Sequence, residues 1–204
     1  MALLAELRHL ATVKQEPTGA HRLATSVKIP KLSTKISSNS VVTRLQTTME
    51  FWDSLERYLI EVGCETAIVS WLRAAGTRLA TKYAEKLDSG SGYMDVNGSL
   101  VQERDDAVSS RYKAGHLRHL DIQFEAMMCE PILTTLQGRS EVRREMSPLQ
   151  RMADASMEIM WFSRVRTAGE MSELSKLIEE PKLEGDPVAD LQMWRKWTKI
   201  AHKV

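Results

Sequence analysis

The chain has 204 residues, 43% of them hydrophobic and 27% charged, which suffices to bury a core without disulfide staples and excludes both a peptide scaffold and a wholly disordered chain. Lys plus Arg number 28 and Asp plus Glu 27, so the charge nearly cancels and any electrostatic function has to be local. The 11 Met and 5 Trp stand against only 10 Gly and 6 Pro, a low breaker content that favours long helices around an adaptable core.

Read in chain order, Leu3, Leu7 and Leu10 make one apolar stripe on a short helix over residues 2–13. Pro17, Gly19 and Pro30 then leave room for at most a short helix over 19–28. The run Ser37-Ser38-Asn39-Ser40 offers an N-cap for a long helix to Val62, in which Val42, Leu45, Met49, Trp52, Leu55, Leu59 and Val62 recur at spacings of three and four. Gly63 supplies the stop. A second long helix, from Glu65 to Leu87, carries Ile68, Leu72, Leu79 and Tyr83 with Trp71 beside them, so an antiparallel pair is expected.

Residues 88–98, with Gly90, Gly92 and Gly98, read as a loop. Helices are expected again over 99–113 and 116–137, the latter kinked or broken by Pro131. Gly138 is the best candidate boundary, dividing an N-terminal helical domain, 1–138, from a C-terminal three-helix domain, 139–204. In the second part Ser147-Pro148 reads as N-cap and N1 of a helix to Arg166 carrying Leu149, Met152, Ser156, Ile159 and Met160, with Gly169 as its end. A short helix over 171–180, an acidic loop through Pro181, Gly185 and Pro187, and a last helix from Val188 to Lys203 follow. No segment alternates as a strand should, and the expected fold class is all-α, with two helical domains.

Charge is segregated along the chain. From Pro17 to Met49 stand Arg22, Lys28, Lys31, Lys35 and Arg44 with no acid, whereas Glu50, Asp53, Glu56, Glu61 and Glu65 follow against Arg57 alone. Residues 170–190 are again acidic, and 191–204 hold Arg195, Lys196, Lys199 and Lys203 without an acid. Such blocks are either a basic surface for polyanions, with complementary charges steering copies head to tail, or ordinary solvated helix faces. The candidate polyanion surface comprises Arg22, Lys28, Lys31, Lys35 and Arg44, with Arg139, Arg143 and Arg144 as a second patch. Arg195 and Lys199 share a face of the last helix beside Trp194 and Trp197, a pattern that fits a lipid surface or an RNA backbone, or a docked terminal helix with both Trp in the core.

No catalytic motif is present. Cys64 and Cys129 are too few for a disulfide framework and read as free thiols, a single bridge being the alternative. His116, His119 and Cys129 lack the paired spacing of a zinc site, and Gly90-Ser91-Gly92 has no phosphate-loop context. Neither a metal, a cofactor nor a small-molecule substrate is expected, and the protein reads as a non-enzyme. No stretch approaches the roughly 18 apolar residues of a spanning helix, so membrane binding is expected to be peripheral.

The opening Met1-Ala2-Leu3-Leu4-Ala5-Glu6 resembles the start of orthomyxovirus matrix proteins, Met-x-Leu-Leu-x-Glu. Cys129-Glu130 closing a Met-containing helix, the Arg-rich stretch 139–151, Arg166-Thr167-Ala168-Gly169, which resembles the family's Arg-Thr-x-Gly, and Asp190-Leu191-Gln192 with Lys196 follow in the family's order. The resemblance covers the first thirteen residues and roughly the last eighty. It implies an all-helical protein of two domains that self-associates as a layer on the inner face of a viral envelope, binds anionic lipid and contacts the ribonucleoprotein. Its expected locations are the virion, the host cytoplasm and the inner leaflet of the plasma membrane, with the nucleus as a further site. The chain lacks the family's Cys-Cys-His-His segment, so the resemblance implies no zinc.

Two other classes remain open at this point. An RNA-binding nucleoprotein would use the same cations together with aromatic stacking positions. A mitochondrial accessory or scaffold protein would use residues 1–35, whose only acids are Glu6 and Glu16, as a targeting arm.

Overall fold

The computed structural model describes residues 28–88 and 111–179, together with 186, 188, 190–192, 195 and 198. The expected helix over 2–13, that over 19–28 apart from Lys28, that over 99–113 as far as residue 110, the loop over 88–98 apart from Asp88 and most of the last helix lie outside the described residues, as do Arg22, Trp194, Trp197 and Lys199. The described chain is all-helical with no strand. A 3-10 turn, Thr34–Ser37, precedes α1 (Val41–Glu61), α2 (Ala67–Asp88), α3 (Ala114–Ala126), α4 (Glu130–Gln137), α5 (Ser140–Arg144), α6 (Pro148–Ser163) and α7 (Ala168–Glu179).

Helix ends follow local chemistry closely. Ser40 caps α1 by accepting from the Thr43 amide. At the other end Gly63 adopts φ 72°, the left-handed conformation a Cβ disfavours. That turn lets the Gly63 amide reach the Ile60 carbonyl at 3.0 Å and the Cys64 amide the Leu59 carbonyl at 2.7 Å, the paired bonds of a Schellman end. Ser147 and Gln150 cap α6 reciprocally, each side chain accepting from the other's amide, and Pro148 takes the first turn, where no donor is needed.

One boundary takes the second of two expected forms and another differs from expectation. The 116–137 segment is broken at Pro131 and not kinked: the break falls at Met127–Cys129, and Pro131 sits in the first turn of α4. A continuous helix would set the Pro131 ring against the carbonyl of Met127, so the chain re-initiates instead of kinking. The α6 helix ends at Ser163, and Gly169 lies in the first turn of α7 instead of terminating α6. The Thr167 hydroxyl accepts from the Glu170 amide, and the Glu170 carboxylate accepts from the Arg166 amide, so the new helix is capped three residues after Arg164 turns extended.

Helix α6 is the centre of the molecule, packed against α1, α2, α3, α4 and the 3-10 turn. Every residue from Met152 to Ile159 is buried, so this helix has no solvent face along those two turns. Its closest neighbour is α2. At Gly76 a Cβ would lie 2.7 Å from the backbone oxygen of Ser156, so only glycine permits the crossing at this distance. Around this axis pack Met127, Met152 and Met157 and the aromatic trio Phe51, Trp52 and Phe124, with Trp52 and Phe124 stacked at 6.2 Å. One core cluster takes in residues from Leu32 to Ile159, on both sides of the exposed Gly138, which lies in the turn between α4 and α5. The expected division at Gly138 therefore corresponds to no break in the core, because the helix beyond it fills the middle of the bundle.

Candidate functional surface

The cations singled out in the sequence fall into two groups. Arg44 is fully buried. Its guanidinium donates to the carbonyls of Ser38 (2.9 Å), Asn39 (3.1 Å) and Arg164 (3.1 Å) and to the Glu170 carboxylate (2.8 Å), tying α1 to the turn that enters α7. Burial pushes the Glu170 carboxyl up, but the bonds from Arg44 and the Arg166 amide outweigh it and hold the group below its ordinary value.

Arg139 and Arg143 are also turned inward. Arg139 reaches Glu158 at 2.6 Å and Asp154 at 3.2 Å; Arg143 reaches Asp154 at 2.5 Å and Glu125 at 3.1 Å. Arg151 joins them by gripping Asp121 at 2.5 Å. Three arginines thus meet the four carboxylates of Asp121, Glu125, Asp154 and Glu158 in a seam between α3, α5 and α6. Burial raises the Asp121 and Glu158 carboxyls, with Arg151 and Arg139 respectively opposing it. Assignment of Arg44, Arg139 and Arg143 to a polyanion surface is therefore corrected: their charges are directed to carboxylates and carbonyls inside the molecule, because leaving a guanidinium unpaired there would cost several kcal/mol.

Lys28, Lys31 and Lys35 are exposed on the segment leading into and along the 3-10 turn, as is Arg144 on α5 and Arg195 further on. The segment is fastened by Leu32, whose amide donates to the Met127 carbonyl at 2.8 Å, and by Ile36, buried in the core. Between the lysines Ile29 is 45% exposed. Lys28 and Lys31 form one wall of an open groove of 480 Å³ whose other wall, on α1, carries Glu50, Arg57 and Glu61. The 3-10 turn itself has no acid in its first turn and Lys35 in its last.

The structure adds cations that the sequence reading passed over. Arg111, Lys113 and Arg118 are exposed at the head and along the outer face of α3, with His116 and His119 beside them. Their signal is the run 111–120, which holds no acid between Asp106 and Asp121. Cys129 is buried at the N-cap of α4, and burial pushes its thiol up, away from the thiolate a nucleophile needs. Cys64 is exposed at the α1–α2 corner. Among the described residues no three His, Cys, Asp or Glu side chains gather as a metal site, and no helix is long and apolar enough to cross a membrane.

Comparison of the chain with protein-family models, with curated proteins and with solved structures finds no match.

Proposed function

We propose that this protein is a viral matrix-type structural protein: a self-associating peripheral layer on anionic lipid under an envelope, bridging to the ribonucleoprotein and carrying out no catalysis. The observation that carries the reading is the exposed, acid-free lysine segment. Lys28, Lys31 and Lys35 stand clear of the buried ion pairs while Ile29 projects among them, so a lipid surface can take the charges at its headgroups and the apolar side chain just beneath. The resemblance at Met1-Ala2-Leu3-Leu4-Ala5-Glu6 and Arg166-Thr167-Ala168-Gly169 points the same way.

An RNA-binding nucleoprotein is less favoured, because among the described residues the most exposed large apolar side chains are Ile, Leu, Met and Val, whereas base stacking calls for aromatic rings. Flotation with phosphatidylserine vesicles and with neutral vesicles across a salt series tests the reading. Selective binding that fades with salt is expected. Replacing Lys28, Lys31 and Lys35 by Gln should weaken it about 100-fold at low salt, from roughly 1 kcal/mol per lysine near the surface. Absence of flotation at low salt, or equal flotation on neutral vesicles, overturns it; tight RNA binding in its place would favour the nucleoprotein.

A further inference from the structure

Glu61 is out of place by the rules that govern helix ends. It closes α1, where the negative end of the helix opposes a carboxylate, and it stands exposed. Among the described residues it enters no ion pair, and neither do Lys28 and Lys31 across the groove. Helix stability gives no reason for an acid there. Arg57 precedes it by four residues, about 6 Å along the axis on the same face of α1. Its guanidinium donates to the Asp53 carbonyl at 3.3 Å and to the Ser54 hydroxyl at 3.4 Å through Nε and Nη2, and Nη1 makes no hydrogen bond to the described residues. Helical side chains lean toward the N-terminus, so the Glu61 carboxylate comes down onto the turn that holds Arg57. The groove between this pair and the lysines measures 480 Å³, within the roughly 300–1,000 Å³ of small-ligand sites. Glu50, the other acid on that wall, lies two turns from Arg57 and is already engaged.

We propose that this groove recognises the phosphoserine headgroup of phosphatidylserine itself, beyond its negative charge. Lys28 and Lys31 take the phosphate, the Nη1 edge of Arg57 takes the carboxylate, and Glu61 takes the ammonium. The carboxylate and ammonium of serine share one carbon, as the two side chains that meet them share one helix face. The phosphate is the headgroup's link to the glycerol and the acyl chains, and it falls on the wall where the exposed Ile29 stands between the two lysines, the side chain that enters the apolar layer. The serine then extends away from the membrane toward α1. Contacts to three different substituents of one chiral carbon make the site sensitive to the hand of the serine. The inference rests on the lipid layer proposed above and adds which headgroup it takes and which acid selects it.

The test is flotation at low salt on vesicles in which phosphatidylserine is replaced, mole for mole, by phosphatidylglycerol or by phosphatidyl-D-serine, both of the same net charge. Wild type should bind each of these, but about tenfold more weakly than vesicles with the L headgroup. Glu61→Gln removes a negative charge, so electrostatics alone would strengthen its binding to every anionic vesicle. Headgroup recognition requires the effects to split: binding to phosphatidylglycerol rises, binding to phosphatidylserine falls, and the tenfold preference is lost. Circular dichroism should show unchanged helix content in the variant, because Glu61 is exposed at the helix end. Equal wild-type binding to phosphatidylserine and phosphatidylglycerol, equal binding to the two hands of serine, or a Glu61→Gln variant that binds phosphatidylserine as tightly as wild type or more so each overturns the headgroup site and leaves the peripheral layer standing. Absence of flotation on all three anionic vesicles overturns the lipid reading, and the headgroup site with it.

Discussion

The seam between α3, α5 and α6 and the edge formed by residues 28–35 carry the same kind of side chain and use it in opposite ways. In the seam, Arg139 and Arg143 stand four residues apart and face Asp154 and Glu158, also four apart, on a helix buried all round. Along the edge, Lys28, Lys31 and Lys35 stay exposed on a segment fastened by Leu32 and Ile36. Planar guanidiniums can satisfy several acceptors at once in a dry interior, while compact ammonium groups keep their water. The lesson is that a basic stretch becomes a surface only where no carboxylate of matching register is brought against it.

Truncating the seam should have the largest effect. Arg143→Ala leaves the fully buried Asp154 with Arg139 alone and should cost about 3–5 kcal/mol of stability, read as a lowered urea midpoint. A loss below about 1 kcal/mol would mean that the seam is wet and that its arginines resemble the edge lysines. Gly76→Ala comes next, because the added methyl meets the Ser156 backbone at 2.7 Å and must push α2 off α6. A cost of about 1–3 kcal/mol is expected, with the helix content preserved in circular dichroism.

Smaller still is the effect of Glu158→Gln, and it depends on pH. Burial raises the Glu158 carboxyl above its ordinary 4.5, so the folded state holds the proton more tightly than the unfolded chain does. The stability from this group is therefore fully present below about 4.5 and lost as pH rises through the raised value. Glu170, held low, works in the reverse sense and loses its contribution as pH falls below 4.5. Relative to wild type, Glu158→Gln should gain stability between pH 4.5 and 7, and a pH-independent difference in denaturation midpoints would refute the burial of that charge. Least affected is the edge: replacing Lys28, Lys31 and Lys35 together by Gln should move stability by under about 0.5 kcal/mol while vesicle binding falls.

Much of the local structure was legible in the residues. Ser40, Gly63 and Ser147-Pro148 end or open their helices as their chemistry dictates, because a cap is settled within one turn of the chain. The Gly169 stop misled, since Arg44, 126 residues away from Glu170's partner bond in sequence separation, helps fix the turn before α7. Of the cations singled out by charge alone, Lys28, Lys31, Lys35 and Arg144 are exposed, whereas Arg44, Arg139 and Arg143 are turned inward to carboxylates. The paired spacing of four in Arg139/Arg143 and Asp154/Glu158 was a signal that composition blocks conceal.

By itself the sequence determined the all-helical class, the positions of the main caps and the segregation of charge into blocks, because periodicity, capping and like-charge clustering act between residues close in the chain. Tertiary structure alone decided that α6 is the central helix, that the core crosses Gly138 without a break, and which cations remain on the surface. Those outcomes depend on which faces meet across long stretches of chain, and a guanidinium has no fixed role until the carboxylate that would pair with it is in place.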